Sequence, residues 1–333
     1  MPASQHVWAL ILAGGDGSRL RALTTKPCGT SVPKQYCSLH GGHSLLEDAL
    51  KRAAAVVPLS RICTIVAEQH RQWWVETPSL VESLELGNLI VQPRNRGTAI
   101  GILYSLLHLL AKDPDAQVLV LPADHYVREE KVLRQSMLAA LDRVHRGDGR
   151  PVLLGLEPDE VDAELGYVLP GEPDPLGGCC VSRFIEKPAF SIAKEIIAAG
   201  GLWNTFIIAG TAAQLMELFL PRFAALVMQM QVTLSRGSSS GSPTASWPAL
   251  LDLYERLPDL DFSRDLLQEQ PAKLSVLRTA PCGWSDLGTP HRVGETLQRL
   301  ATNHGIAMER SPAHVNLAAQ HARFVQTQVG ARH

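Results

Sequence analysis

VWALILAGGDGSRL, residues 7–20, passes from an unbroken apolar stretch into three glycines, Gly14, Gly15 and Gly17, and then an arginine. An apolar run ending in glycines predicts a buried strand at 7–12 followed by a tight loop. The backbone N–H groups of such a loop can turn toward an anion. Basic residues gather just beyond it: Arg19, Arg21, Lys26 and Lys34. The P-loop pattern is excluded, because no Gly-Lys-Ser/Thr follows the strand. The dinucleotide fingerprint is met at Gly15 and Gly17 but has Leu20 where its third glycine belongs.

The same order repeats downstream. Leu45, Leu46, Ala49, Leu50 and Ala53 recur at i, i+3, i+4 spacing and predict an amphipathic helix within 44–57. Strands are expected at 61–67 and 88–93, a strongly apolar helix at 98–113, and a buried strand ending in a polar turn at 116–127. A helix at 129–146 and a strand at 151–158 follow. Strands and helices alternating in this way, with nearly continuous apolar strands, predict an α/β fold: a Rossmann-like, mostly parallel mixed sheet with helices on both faces. Ligands of such sheets bind beyond the carboxyl ends of the strands, so the loops after WALILA, NLIV and VLVL matter most. The second half is more mixed. Strands are expected at 164–170, 178–188 and 202–210, a helix at 189–200, a low-complexity loop at 235–246, and a last strand and turn within 272–288.

Composition narrows the function classes. Lys plus Arg (31) nearly balance Asp plus Glu (33), which argues against a surface built to coat nucleic acid or an anionic membrane. No apolar stretch approaches the length of a membrane span, and the N-terminus lacks the basic start of a secretory signal. Cys28, Cys37, Cys63, Cys179, Cys180 and Cys282 form no CxxC pair, so reduced thiols in a cytoplasmic protein are expected. There is no repeat of solenoid period.

LAGGDGSRL followed by PKQY resembles the signature of the sugar-1-phosphate nucleotidyltransferases. Further matches follow in order: QPRNRGTAIGI to the base-binding loop, LPADHYV to the acidic metal-binding turn, and ELGYV to a sugar-site glycine. FIEKP, WNTFI and GWSDLGT complete the set over residues 8–289. PKQY, PADH and WNT look most like the mannose-1-phosphate guanylyltransferases. The resemblance implies a nucleotide-diphospho-sugar transferase domain over 1–290, with a nucleotide part at about 1–150, a sugar part at about 151–290, and an extension at 291–333. On this reading neither a C-terminal cupin nor a left-handed β-helix is expected within residues 291–333.

The implied reaction joins an NTP, GTP by the resemblance, to a sugar-1-phosphate such as mannose-1-phosphate, and releases pyrophosphate. A phosphate monoester loses its second proton near pH 6, so the nucleophile needs no general base. The obstacle is repulsion between two polyanions, which calls for cations, backbone donors and Mg²⁺. The resemblance assigns Arg19, Lys34, Asp124 and Lys187 to catalysis. It places Leu12, Ala13, Gly14, Gly15, Gly17, Ser18, Gln92, Gly97 and Thr98 at the nucleotide. Gly166, Glu186, Lys187 and Asn204 go to the sugar phosphate, and Asp124 with Asp286 to the metal, whose hard character suits carboxylates. A glutamine amide can present either polarity, so Gln92 leaves guanine, uracil and thymine open.

Taken singly, these residues have plainer readings: Asp124 as a turn former, His125 as structural, Glu186–Lys187 as a solvated pair, Trp203 and Trp284 as wall or core. The sequence also departs from the family pattern. The stretch between Arg19 and Lys34 is longer than usual, Ser18 replaces a threonine, and Phe206 stands where a glycine is usual, narrowing the sugar pocket. The alternatives to a guanylyltransferase are a uridylyl- or thymidylyltransferase and a non-catalytic sugar-nucleotide sensor or regulatory subunit. A homo-oligomer is compatible with the extension; nucleic-acid and membrane partners are not expected.

Overall fold

The computed structural model describes residues 5–303 apart from Cys28, Asp148 and residues 239–246. Most of the Ser/Gly-rich stretch and residues 304–333 of the extension lie outside the described residues.

Nine strands form one sheet in the order β3-β2-β1-β4-β8-β5-β9-β7-β6. They are β1 (Val7–Ala13), β2 (Ile62–Ala67), β3 (Leu89–Gln92), β4 (Gln117–Pro122), β5 (Val152–Leu156), β6 (Gly166–Pro173), β7 (Cys179–Glu186), β8 (Leu202–Thr211) and β9 (Ser275–Thr279). The first four pair in parallel, with Ala9 opposite Ile62, Leu10 opposite Val120 and Ile65 opposite Ile90. β8 then enters antiparallel to β4 and β5, while β5 and β9 are parallel and β6–β7 is an antiparallel hairpin. The sheet is therefore mixed, with its parallel part in the first half.

Why β1 is apolar at every position follows from its place in the centre of the sheet. Trp8 and Leu10 face one core layer, with Ile100, Leu103 and Leu106 of the helix Gly97–Lys112 and the helices Leu220–Ser238 and Trp247–Arg256. Val7, Ala9, Ile11 and Ala13 face the other, with Leu46, Ala49 and Ala53 of the helix Leu45–Ala54 and Leu133 and Met137 of the helix Glu130–His145. A capping box, Ser44 with Glu47, starts the first of these helices.

Two connections decide where the chemistry converges. The loop after β9 returns across the sheet and pairs with the loop after β4: Tyr126 N donates to Ser285 O and Ser285 N to Tyr126 O, each at 2.9 Å. On the other side, Leu260 N donates to Arg96 O (3.1 Å) and Ala99 N to Leu260 O (3.0 Å), joining the loop after β3 to the second half. The carboxyl ends of β1, β3 and β4 thus meet segments from far along the chain.

Candidate active site

The glycine loop is held by the segment that follows it. Gln35 is buried, and its Nε2 donates to Ala13 O and Gly15 O, both at 2.9 Å. Gly17 has φ 59°, and a Cβ there would sit 2.8 Å from the Lys34 backbone nitrogen; only glycine combines that dihedral with that approach. Ser18–Leu20 then forms a single 3₁₀ turn. The residues between this turn and Lys34 fold on themselves through a Thr25–Ser31 bridge, and the Lys26 ammonium lies 4.7 Å from the centroid of the Trp73 ring. This cation thus rests on an indole face.

Lys34 is only 5% exposed. Its Nζ donates to Asp124 Oδ2 at 3.0 Å and also to the backbone oxygen of Asp286. The Tyr126–Ser285 pairing is what places these two aspartates on one ammonium. Burial alone would raise the Asp124 pKa, but the Lys34 ammonium, then His125 and Arg19, bring it below the ordinary 3.8. One oxygen of Asp286, Oδ1, is buried without a hydrogen-bond partner, 3.7 Å from Arg292 Nε. Burial pushes His125 down to about 4, so the ring is neutral, and Trp284 Nε1 donates to its Nδ1 at 3.2 Å.

A cavity of about 300 Å³ opens beside this cluster. Leu12, Gly14, Gln92, Thr98, Phe206 and Asp124 are in its wall; Gly15, Gly17, Gln35 and Gly97 border it too. Gln92 lies directly under Gly14, whose missing Cβ would fall on its Nε2. Tyr254 OH, from the helix Trp247–Arg256, reaches Gln92 Oε1 at 3.5 Å. Ala13 and Ser18 are not in the wall: Ala13 is buried beneath the loop and Ser18 is exposed on the turn. Thr98 Oγ1 accepts the Phe262 N–H at 2.8 Å.

The residues assigned to the sugar phosphate cluster next to this cavity rather than in its wall. Gly166 packs on Glu186 and Asn204; a Cβ there would meet Glu186 Oε2 at 2.5 Å and Asn204 Cβ at 3.4 Å. Asn204 is less open to a ligand than the motif implies, because its Oδ1 accepts from Phe206 N (3.1 Å) and its Nδ2 reaches Ser263 Oγ (3.5 Å). Arg19 Nη1 donates to Glu164 Oε2 at 3.0 Å, and Lys187 Nζ lies 4.0 Å from the same oxygen. One carboxylate therefore bridges the two cations expected to hold phosphates.

Burial, reinforced by Asp261, pushes Glu186 up to about 7 from an ordinary 4.5. The folded protein thus holds this proton more tightly than the unfolded chain. Its stabilising contribution is complete below about pH 4.5 and is lost as pH rises toward 7. Glu186→Gln keeps the shape and the neutral state. The variant's melting temperature relative to wild type should climb across that window and stay level outside it; parallel melting curves from pH 4.5 to 8 would rule the shift out.

Among the described residues, the non-glycine positions with left-handed backbone are Lys187 (φ 48°), Phe206 (58°) and Leu287 (47°). All three lie at this cleft, and strain of this kind collects where a site over-determines the backbone. Several residues were not singled out in the sequence. Gln35 was signalled by its place in Pro-Lys-Gln, next to Lys34. Tyr254, Asp261 and Arg292 had no local signal, because the helices and turns carrying them match no motif. Arg292 is buried, ion-paired with Asp162 at 2.6 Å and stacked on Trp203 at 4.6 Å.

A central parallel sheet extended by antiparallel strands, with a glycine loop after β1 and an acidic turn after β4, defines the nucleotide-diphospho-sugar transferase fold. A family model described as Nucleotidyl transferase matches residues 8–303, and the chain belongs to that family. It is 27% identical over 286 residues to the alginate biosynthesis protein AlgA of Pseudomonas aeruginosa, covering 84% of this chain and 56% of AlgA. It is 29% identical over 302 residues to mannose-1-phosphate guanylyltransferase 2 of Escherichia coli O157:H7, covering 84% of this chain and 58% of that protein. The chain thus spans little more than half the length of these relatives. Among solved structures it is similar to mannose-1-phosphate geranyltransferase from Thermus thermophilus, with TM-score 0.69, 26% identity, and coverage of 85% of this chain and 77% of that one. A putative glucose-1-phosphate thymidylyltransferase from Bacillus anthracis shares the fold at 15% identity and TM-score 0.53, with coverage of 91% of this chain and 98% of that one. Among the described residues no helix is long and apolar enough to cross a membrane.

Proposed function

We propose that the protein is a sugar-1-phosphate nucleotidyltransferase that joins GTP and mannose-1-phosphate into GDP-mannose with release of pyrophosphate. The observation that carries this reading is the buried Lys34 ammonium, held by the Asp286 carbonyl and by the carboxylate of Asp124, which lines a cavity of about 300 Å³ with the glycine loop and Gln92. A phosphate oxygen of the sugar attacks the α-phosphorus, and the bond from that phosphorus to the bridging oxygen of pyrophosphate breaks. The backbone around Gly14–Ser18 lines the triphosphate path, Lys34 faces the α-phosphate, and Arg19 turns from Glu164 to the departing pyrophosphate. Lys187 makes the same exchange toward the sugar phosphate, while Glu186 meets the sugar hydroxyls. Each interaction opposes charge that the reaction brings together, and none requires proton transfer to the nucleophile.

Asp124 and Asp286 suit a hard divalent cation: the buried Asp286 Oδ1 accepts no hydrogen bond, with only the Arg292 guanidinium 3.7 Å away, and the Asp124 side chain keeps 38% of its surface open. Mg²⁺ bound there would supply positive charge against the triphosphate. The choice of base is supported by two amides. Tyr254 OH donates to Gln92 Oε1, leaving the Gln92 donors for a keto oxygen, as guanine and uracil possess and adenine does not. Gln35 has given both its hydrogens to Ala13 and Gly15, so a base meets only its oxygen, which suits the N–H-rich edge of guanine. The names of the guanylyltransferase relatives agree with this choice.

The test is a pyrophosphate-release screen of GTP, ATP, CTP, UTP and dTTP against several sugar-1-phosphates with Mg²⁺. GTP with mannose-1-phosphate is expected to give the highest kcat/KM. Preference for UTP or dTTP would overturn the guanylyl assignment, and no turnover with any pair would favour a sugar-nucleotide sensor.

A further inference from the structure

Of the three strained residues at the cleft, Phe206 is the one that lines the cavity. Lys187 brings a cation and Leu287 adjoins Asp286, whereas Phe206 brings a ring. Its φ of 58° is one that a bulky side chain adopts against steric resistance. The backbone is pinned there: Phe206 N donates to Asn204 Oδ1 (3.1 Å), Thr205 Oγ1 to Leu154 O (2.7 Å), and Ile207 N to Thr205 Oγ1 (3.2 Å). The β5–β8 register breaks at the same place, with Leu153 opposite Ile208 but Gly155 opposite Asn204. The result is a bulge that re-aims one side chain. Its ring enters the cavity wall and rests against the buried Phe262, ring centroids 6.4 Å apart.

The residue touches both parts of the cleft, the cavity by lining it and the Glu186 side through its backbone bond to Asn204. Two residues before it on β8, Asn204 faces Gly166 and Glu186, which are outside the cavity wall. Asp261, next in the chain to Phe262, lines the cavity and is close enough to Glu186 to act on its charge. Phe206 therefore lines the nucleotide cavity while its backbone N–H is tied to Asn204, the neighbour of Gly166 and Glu186. We propose that Phe206 is a specificity-determining residue for the transferred sugar, its ring admitting an unsubstituted hexose-1-phosphate and rejecting one that carries a bulky N-acyl group on the pyranose.

The physical basis is shape. An aromatic ring has no hydrogen bond to give a sugar hydroxyl, so it selects by contact with a C–H face and by the volume it removes. A glycine would accept the same dihedral without strain and leave the volume of a benzyl group open. Because the bulge is tied at three hydrogen bonds, the wall cannot retreat to make room.

This inference rests on the nucleotidyltransferase reading, and the experiment separates the two. Wild type, Phe206→Gly and Phe206→Leu are assayed for pyrophosphate release with the preferred NTP, using a hexose-1-phosphate and the matching N-acetylhexosamine-1-phosphate, with thermal melts to confirm folding. Wild type should prefer the plain hexose by at least roughly 100-fold in kcat/KM. Phe206→Gly should shrink that ratio about tenfold or more, and Phe206→Leu should fall between. An unmoved ratio in a folded variant overturns the proposal. So does a change confined to KM for the NTP, which would assign the ring to the nucleotide. If the glycine variant does not fold, the leucine variant decides on the same ratio. Absence of pyrophosphate release by wild type with every pair overturns the nucleotidyltransferase reading itself, and the proposal with it.

Discussion

Asp124→Asn should lower kcat by roughly 10³-fold while the protein stays folded, on the scale seen when charge stabilisation is removed from a phosphoryl-transfer site. The substitution keeps the size of the side chain and removes only its charge. Two consequences follow from the geometry. The buried Lys34 ammonium loses its counter-charge at 3.0 Å and is left with uncharged acceptors, the Asp286 carbonyl among them. The pair of carboxylates that would hold Mg²⁺ is reduced to Asp286. The Asp124 pKa lies below its ordinary 3.8, so the carboxylate stabilises the fold above that value and the contribution fades as pH falls further. At neutral pH the variant should therefore melt somewhat below wild type, a small effect for a side chain 38% open to the cleft. Pyrophosphate release measured with a thermal melt checks both parts; a folded variant with wild-type turnover would refute the role of Asp124.

Gly97→Ala should have the largest effect on the fold and, through it, on the nucleotide. Gly97 has φ 82°, and a Cβ there would collide with the Leu260 carbonyl oxygen. That carbonyl accepts the Ala99 N–H, and Leu260 N donates to Arg96 O, so the collision falls within the seam joining the loop after β3 to the second half. Left-handed backbone alone costs an L-residue about 1–2 kcal/mol, and parting the seam adds to it. A loss of about 3 kcal/mol in denaturant unfolding is expected, because dihedral and contact are both violated. Gln92, Thr98 and Tyr254 lie on either side of the seam, so KM for the NTP should rise more than kcat falls. A variant that melts like wild type and keeps its KM for the NTP would show that the seam is not needed.

Legibility differed from one part of the chain to the next. The strands of the first half were readable because each is buried on both faces: Leu10 and Ile11 point to opposite layers and both are fully buried, so the run is apolar throughout. The helices Leu220–Ser238 and Trp247–Arg256 were not assigned from sequence, and Tyr254 and Asp261, which come from that region, were missed with them. A residue recognised by what it touches, such as Tyr254 against Gln92 across 162 positions, has no local pattern to be found by. The departure at Phe206 was visible as a sequence difference. Its left-handed backbone and its place in the cavity wall were not.

By itself the sequence determined the α/β class and the glycine loop, which follow from local chemistry: apolar period and glycine turns. The two aspartates were singled out only by the resemblance of the ordered motifs to a family, since each alone reads as a turn residue. Only the tertiary structure decided that Lys34 is buried against Asp124 and Asp286, that Lys26 lies on Trp73, and that Glu164 bridges Arg19 and Lys187. Those pairings depend on β9 returning its loop to β4 and on the segment after Ser18 folding back onto the glycine turn. Both are long-range closures, set by the packing of the whole sheet.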